Sequence, residues 1–224
     1  YCLGGAQLEL WPLSAAPWLL TSLAALAMLW LVNLYNFMDG IDGLAASEAL
    51  CVNAMSLLLV INVSDSGTLF LCGLAFAGVA GFLVWNWGPA RIFMGDVGSG
   101  FIGFLLGVVA VYSINQGSLS LWSWVILLAI FLSDATLTLA IRFVSGQPWS
   151  QGHSCHAYQH LSRRLKSHRK VTILLIAINL SWLLPLALAA QIRPEWGMVL
   201  AGLSVIPLLI AAYAAGAGRQ PATE

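Results

Sequence analysis

Five stretches of this chain run long enough without a charge to cross a bilayer: Glu9 to Asp39, Asp65 to Arg91, Asp96 to Asp134, Lys170 to Arg193, and Glu195 to Arg219. A transmembrane helix needs about 20 mostly apolar residues. The Asp96–Asp134 interval is broken by the polar turn Asn115-Gln116-Gly117-Ser118, so it holds parts of two helices. The stretch from Leu44 to Asn62 adds one more, polar only at Ser47, Glu48, Asn53 and Ser56. Seven spans are predicted, at 17–36, 44–62, 68–87, 99–114, 120–143, 171–190 and 196–214. The fold class is all-α, a polytopic transmembrane helix bundle. Only 8% of the 224 residues are charged, against roughly 25% in soluble domains, which excludes a water-soluble fold.

The few charges carry the topology. Threading the spans alternately puts loops 37–43, 88–98 and 144–170 and the C-terminal tail on one side. That side holds Arg91, Arg142, Arg163, Arg164, Lys166, Arg169, Lys170 and Arg219, and the other only Arg193. Basic residues concentrate on the cytoplasmic side, so these loops are read as cytoplasmic. Formal net charge is zero, which argues against nucleic acid as a partner. The four cysteines are scattered and suggest no disulfide framework. No linker or repeat divides the chain, so 1–224 reads as one integral-membrane domain, with 144–170 a basic, histidine-bearing loop inside it. The sequence opens on Tyr1 without a leader pattern, and reads as part of a larger bundle whose N-terminal helices are missing.

Three polar clusters fall on the basic side. In Asn33-Leu-Tyr-Asn36-Phe-Met-Asp39-Gly-Ile-Asp42-Gly43 the polar residues recur every three positions, which tends to gather them on one side of a helical segment. A plain alternative is that Asp42 caps the second helix. The second cluster runs from Asn86 through Arg91 and Gly95-Asp96-Val-Gly98-Ser99-Gly100. A glycine-rich turn into a helix start suits phosphate, and Asp96 supplies a hard oxygen for Mg²⁺. The third, His153-Ser-Cys155-His156-Ala-Tyr158-Gln159-His160, precedes the basic run to Lys170. Its histidines suit a phosphate site; zinc ligation is the other reading, without finger spacing. Asp134, inside the fifth span, is a candidate for either function or helix pairing.

The stretches NLYNFMDGIDGLA (33–45), NWGPARIFMGDVGSGFIG (86–103) and DATLTLAIRF…HSCHAYQHLSRR (134–164) keep their order along the chain. Together they resemble the polyprenyl-phosphate N-acetylhexosamine-1-phosphate transferases. The HxxHAYQ form is closest to the O-antigen-initiating branch, whose members handle GlcNAc, FucNAc or QuiNAc nucleotides. The resemblance implies a bacterial inner-membrane enzyme with a cytoplasmic site. It would move N-acetylhexosamine 1-phosphate from a UDP-sugar to undecaprenyl phosphate and release UMP. It also implies Mg²⁺ as cofactor, with Mn²⁺ as its alternative, and a homodimer as a possible assembly.

Carried onto matching positions, the catalytic candidates are Asp39, Asp42, Asp96, His153 and His156. Asn36, Arg91, Gly98 and Ser99 are the substrate-binding candidates, and Asp96 with Asn36 the metal site. Three features depart from the family pattern: a paired-aspartate motif is absent, Gly88 stands where a proline is usual, and Ser154 where a basic residue is common. The competing readings are a transporter that uses intramembrane acids and an inactive fragment.

Overall fold

The computed structural model describes residues 17–147 and 155–220, and every regular element in them is helical. Along the chain these are α1 (Pro17–Met38), α2 (Leu44–Val60), α3 (Ser66–Asn86), α4 (Gly95–Asn115), α5 (Leu121–Leu127), α6 (Ala129–Val144), α7 (Ala157–Leu165), α8 (His168–Ile178), α9 (Leu184–Ile192) and α10 (Gly197–Ala215). Side-chain oxygens start three of them. Asp65 accepts from Thr68 N–H (3.0 Å), Ser120 from Ser123 N–H (3.0 Å) and Ser167 from Lys170 N–H (3.3 Å). Each satisfies a donor that the first helical turn leaves unpaired.

Five continuous helical stretches are long and apolar enough to span a membrane: Trp18–Met38, Ser66–Asn86, Gly95–Asn115, His168–Ile192 and Pro194–Ala215. Large apolar side chains such as Leu26, Phe70, Leu74, Phe101 and Ile210 point outward from them, an arrangement only lipid tolerates over so much surface. The chain is an all-α polytopic membrane bundle.

Two of the seven expected spans take a different form. Residues 120–143 are not one helix: α5 and α6 meet at Leu128 with a 77° bend. No glycine or proline marks the break. Tertiary packing makes it, burying Trp124, Ile126, Leu127 and Leu128, while the Trp124 indole donates to Ser113 Oγ at 2.8 Å. The 44–62 span shrinks to the 17 residues of α2, the short end of what crosses a bilayer. It is buried on nearly all sides, which is why Ser47, Glu48, Asn53 and Ser56 lie inside protein rather than against lipid. Glu48 Oε2 accepts from Asn179 Nδ2 at 2.7 Å. Asn179 opens a π-helical turn (Asn179–Leu183) joining α8 to α9. Pro185 explains the turn, having no N–H for the carbonyl of Ser181.

The α1–α4 seam governs the site. Gly103 and Gly107 on α4 form a G-x-x-x-G pattern facing α1. A Cβ at Gly103 would lie 2.5 Å from the Leu31 carbonyl oxygen, so the two backbones touch. Small residues permit such approach in membranes. The end of α1, the start of α2, the end of α3, the start of α4, and α7 with the start of α8 all meet at one end of the bundle.

Candidate active site

Asn36, in the last turn of α1, donates through Nδ2 to Asp96 Oδ1 (3.1 Å) and to Ser99 Oγ (3.4 Å). Asp96 stands in the first turn of α4, where the helix dipole favours negative charge. Ser99 is buried and its hydroxyl turns back to the Gly95 carbonyl at 3.1 Å. Asp39 follows α1 directly. Asn36, Asp39 and Asp96 line a cavity of about 230 Å³ together with Asp42, Asn86 and Phe93, and Ser99 stands behind Asn36 outside that lining. Burial pushes the Asp39 carboxyl up from 3.8 to about 6; the Gly95 N–H opposes the rise and the Asp96 charge adds to it.

Asn86 holds the two loops together. Its Oδ1 accepts from Gly43 N–H (3.0 Å) and its Nδ2 donates to the Ile92 carbonyl (2.9 Å). Gly43 precedes α2 in a left-handed conformation, φ 74°, which glycine adopts without strain. Asp42 therefore does not cap α2. Its Oδ2 accepts from Ala90 N–H (3.2 Å) and lies 3.4 Å from His168 Nδ1, while its carbonyl accepts from the Thr172 hydroxyl (3.3 Å). Asp42 ties the α1–α2 loop, the α3–α4 loop and α8 into one unit.

Other candidates stand away from the cavity lining. Arg91 is exposed, with its guanidinium 5.7 Å from the Trp85 ring centre. Gly98 packs against Met94. His156 is buried: its Nδ1 lies 3.4 Å from Asp134, and its ring stacks on Phe37 and Tyr158. It fixes α7 rather than facing the cavity. His153 lies outside the described residues.

Asp134 resolves as an anchor. It accepts from Ala157 N–H (2.9 Å), Tyr158 N–H (3.0 Å) and the Thr138 hydroxyl (3.1 Å). These bonds hold the start of α7, and Tyr158 then donates to the Phe37 carbonyl at 3.0 Å, beside the α1–α2 loop. The zinc reading does not hold among the described residues. His160 Nε2 faces the Arg219 carbonyl at 3.1 Å, and no three His, Cys, Asp or Glu side chains converge on a metal position. Asp39 and Asp96 do fit a hard cation. Mg²⁺ takes one or two carboxylates and fills its remaining positions with water and substrate phosphate.

Residues 5–114 match the family model described as "Glycosyl transferase family 4". The probable undecaprenyl-phosphate N-acetylglucosaminyl 1-phosphate transferase of Bacillus subtilis is 33% identical over 162 residues, covering 69% of this chain and 44% of that protein. The phospho-N-acetylmuramoyl-pentapeptide-transferases of Chlamydia muridarum and Moorella thermoacetica are 42% and 41% identical, over 40% and 42% of this chain and 28% and 30% of theirs. The chain belongs to glycosyl transferase family 4. This is the polyprenyl-phosphate hexosamine-1-phosphate transferase superfamily, and the chain spans less than half the length of these curated relatives.

Two features of this family 4 site escaped the sequence reading. Asn86 opens the second polar cluster, but nothing in the sequence gives it a role of its own. His168 sat inside a basic run that reads most simply as a membrane-surface feature. Only the fold shows the first bridging two loops and the second facing Asp42.

Proposed function

We propose that this chain carries the site at which N-acetylhexosamine 1-phosphate passes from a UDP-sugar to undecaprenyl phosphate, at the cytoplasmic face of a bacterial inner membrane. The observation that carries this is the convergence of Asn36, Asp39, Asp42 and Asp96, from two loops, on one cavity at the basic end of the bundle. The names of the relatives support the reaction class. The HxxHAYQ form supports O-antigen initiation within it.

An oxygen of the lipid phosphate attacks the phosphorus that carries the sugar. The anhydride bond to UMP breaks, and its electron pair stays on the UMP oxygen. A phosphate monoester has a second pKa near 6, so the acceptor is largely dianionic at neutral pH and needs no strong general base. The harder task is bringing two anions together. Mg²⁺, or Mn²⁺ in its place, would be held by Asp96 and Asp39 with Asn36 and would supply positive charge to the diphosphate. Asn36 orients the Asp96 carboxylate. Asn86 and Asp42 fix the distance between the loops. His153 and Arg91 remain candidates to neutralise phosphate charge, while His156 acts through the position of α7.

The test is an exchange assay on membranes containing the full-length protein, with undecaprenyl phosphate, labelled UMP and a panel of UDP-sugars. Label should enter one UDP-N-acetylhexosamine and depend on a divalent cation. Exchange with none of the panel would refute the proposal.

A further inference from the structure

Beside the acidic cavity, across Asp42, lies a second and larger concavity of about 920 Å³, open to solvent. Its lining includes Arg163, Lys166, His168 and Arg169, with Gly88 and Pro89 on the facing loop. All four basic side chains are exposed. Asp42 is the one carboxylate among the lining residues, and its Oδ2 is already engaged by Ala90 N–H and His168. The groove therefore carries a clear excess of positive charge.

The wall is built rather than incidental. The last turn of α7 brings Arg163, and Lys166 ends that helix in a left-handed conformation, φ 49°. Ser167 then caps α8, so the positive end of the α8 dipole opens on the same space. Arg169 lies 6.0 Å from the Trp87 ring centre, which holds it against the α3–α4 loop.

Two observations say what this groove takes. The helix it opens on, His168–Ile192, is long and apolar enough to cross a membrane, so the basic residues stand at the mouth of a membrane-spanning helix. The patch also continues past the groove to Arg164 and Lys170, with Leu165 exposed between Arg164 and Lys166. A basic cluster at the mouth of a span, with an apolar residue among the charges, is the pattern that attracts anionic phospholipid head groups.

We propose that the groove formed by Arg163, Lys166, His168 and Arg169 binds the phosphate of an anionic phospholipid from the surrounding bilayer, separately from the sugar-nucleotide cavity. A lipid phosphate there draws α7 and the start of α8 to the membrane surface. Through His168 and Thr172 it bears on Asp42.

The full-length protein, purified in detergent, is titrated with phosphatidylglycerol and, separately, with phosphatidylcholine, and bound lipid is counted by native mass spectrometry. Phosphatidylglycerol should bind at least tenfold more tightly than phosphatidylcholine. The Arg163→Gln/Lys166→Gln/Arg169→Gln variant should lose that preference. Arg164→Gln/Lys170→Gln, outside the groove, should keep most of it. UMP affinity, measured in phosphatidylcholine nanodiscs, should change less than about twofold in both variants. If the triple variant does not fold, Lys166→Gln alone should still weaken phosphatidylglycerol binding about threefold. An unchanged phosphatidylglycerol preference in these groove variants, or an equal loss in the Arg164/Lys170 variant, overturns the groove. A loss of UMP affinity instead assigns it to the nucleotide and overturns the lipid.

Discussion

Gly103→Ala tests how far the membrane seam controls the chemistry. The added methyl would meet the Leu31 carbonyl oxygen at 2.5 Å and Val32 Cα at 2.9 Å. Carbon–oxygen contacts between packed helices settle near 3.3 Å, so α1 must recede by about 0.8 Å. Neither obstacle is a flexible side-chain tip; both are backbone. Asn36 sits near the site end of α1 and Asp96 at the site end of α4, now 3.1 Å apart. Moved rigidly, they would stand about 3.9 Å apart, beyond hydrogen-bonding reach. Overpacking of this kind costs about 1–3 kcal/mol, which leaves the bundle folded. A displacement of about 1 Å at a reacting centre costs about a hundredfold in rate, so turnover should fall 30- to 100-fold. Gly107→Ala should be milder, because its methyl meets the movable Met28 Cγ at 3.0 Å. Gly78→Ala, with nothing within 4 Å, is the control. The assay is UMP exchange at matched amounts of full-length protein in membranes. Gly103→Ala turning over like Gly78→Ala would refute any coupling of the seam to the site.

Asp96→Asn keeps the acceptor for Asn36 and removes the charge, so turnover should drop by orders of magnitude at little cost in stability; near-normal turnover with undiminished Mg²⁺ dependence would take Asp96 out of the site. Asp39, lifted from 3.8 to about 6, holds a proton more tightly in the folded than in the unfolded chain. Its contribution to stability is therefore full below about pH 4 and lost as pH rises through 6. Melting of the metal-free protein should show that slope, and Asp39→Asn should flatten it; Mg²⁺ should stabilise at pH 7.5 and not at pH 5. For topology, in a cysteine-free background, Ser66→Cys should label from outside the cell and Ser167→Cys should not, and the reverse pattern would invert the membrane orientation.

What the sequence made legible follows from physics that acts locally. Charge-free length and the basic asymmetry gave the bundle and the shared end of its loops. The three-residue spacing of Asn36, Asp39 and Asp42 gathered them on one side of a helical segment, and threading the spans put them on the same face as Asp96. The bend at Leu128 was not legible, since burying Trp124 and Leu127 against other helices leaves no local mark. His156 misled for a related reason. Motif position put it with the phosphate-facing groups, while its partner Asp134 lies 22 residues earlier, on α6. The sequence could weigh Asp134 only as either functional or structural. Its three hydrogen bonds to the start of α7 and to Thr138 decide for structure.

The charge pattern has its own logic. For the proposed transfer between two phosphates the carboxylates must lie close enough to share a cation, yet Asp39 and Asp96 repel each other when none is bound. The fold meets this by placing Asp96 at a helix N-terminus with Asn36 as donor, and by leaving Asp39 half-buried with its carboxyl near pH 6. Asp42 escapes the conflict because Ala90 N–H and His168 engage it. Three carboxylates in one loop region thus take different duties. Asp39 and Asp96 are available to a cation, while Asp42 keeps the α1–α2 and α3–α4 loops in register with α8.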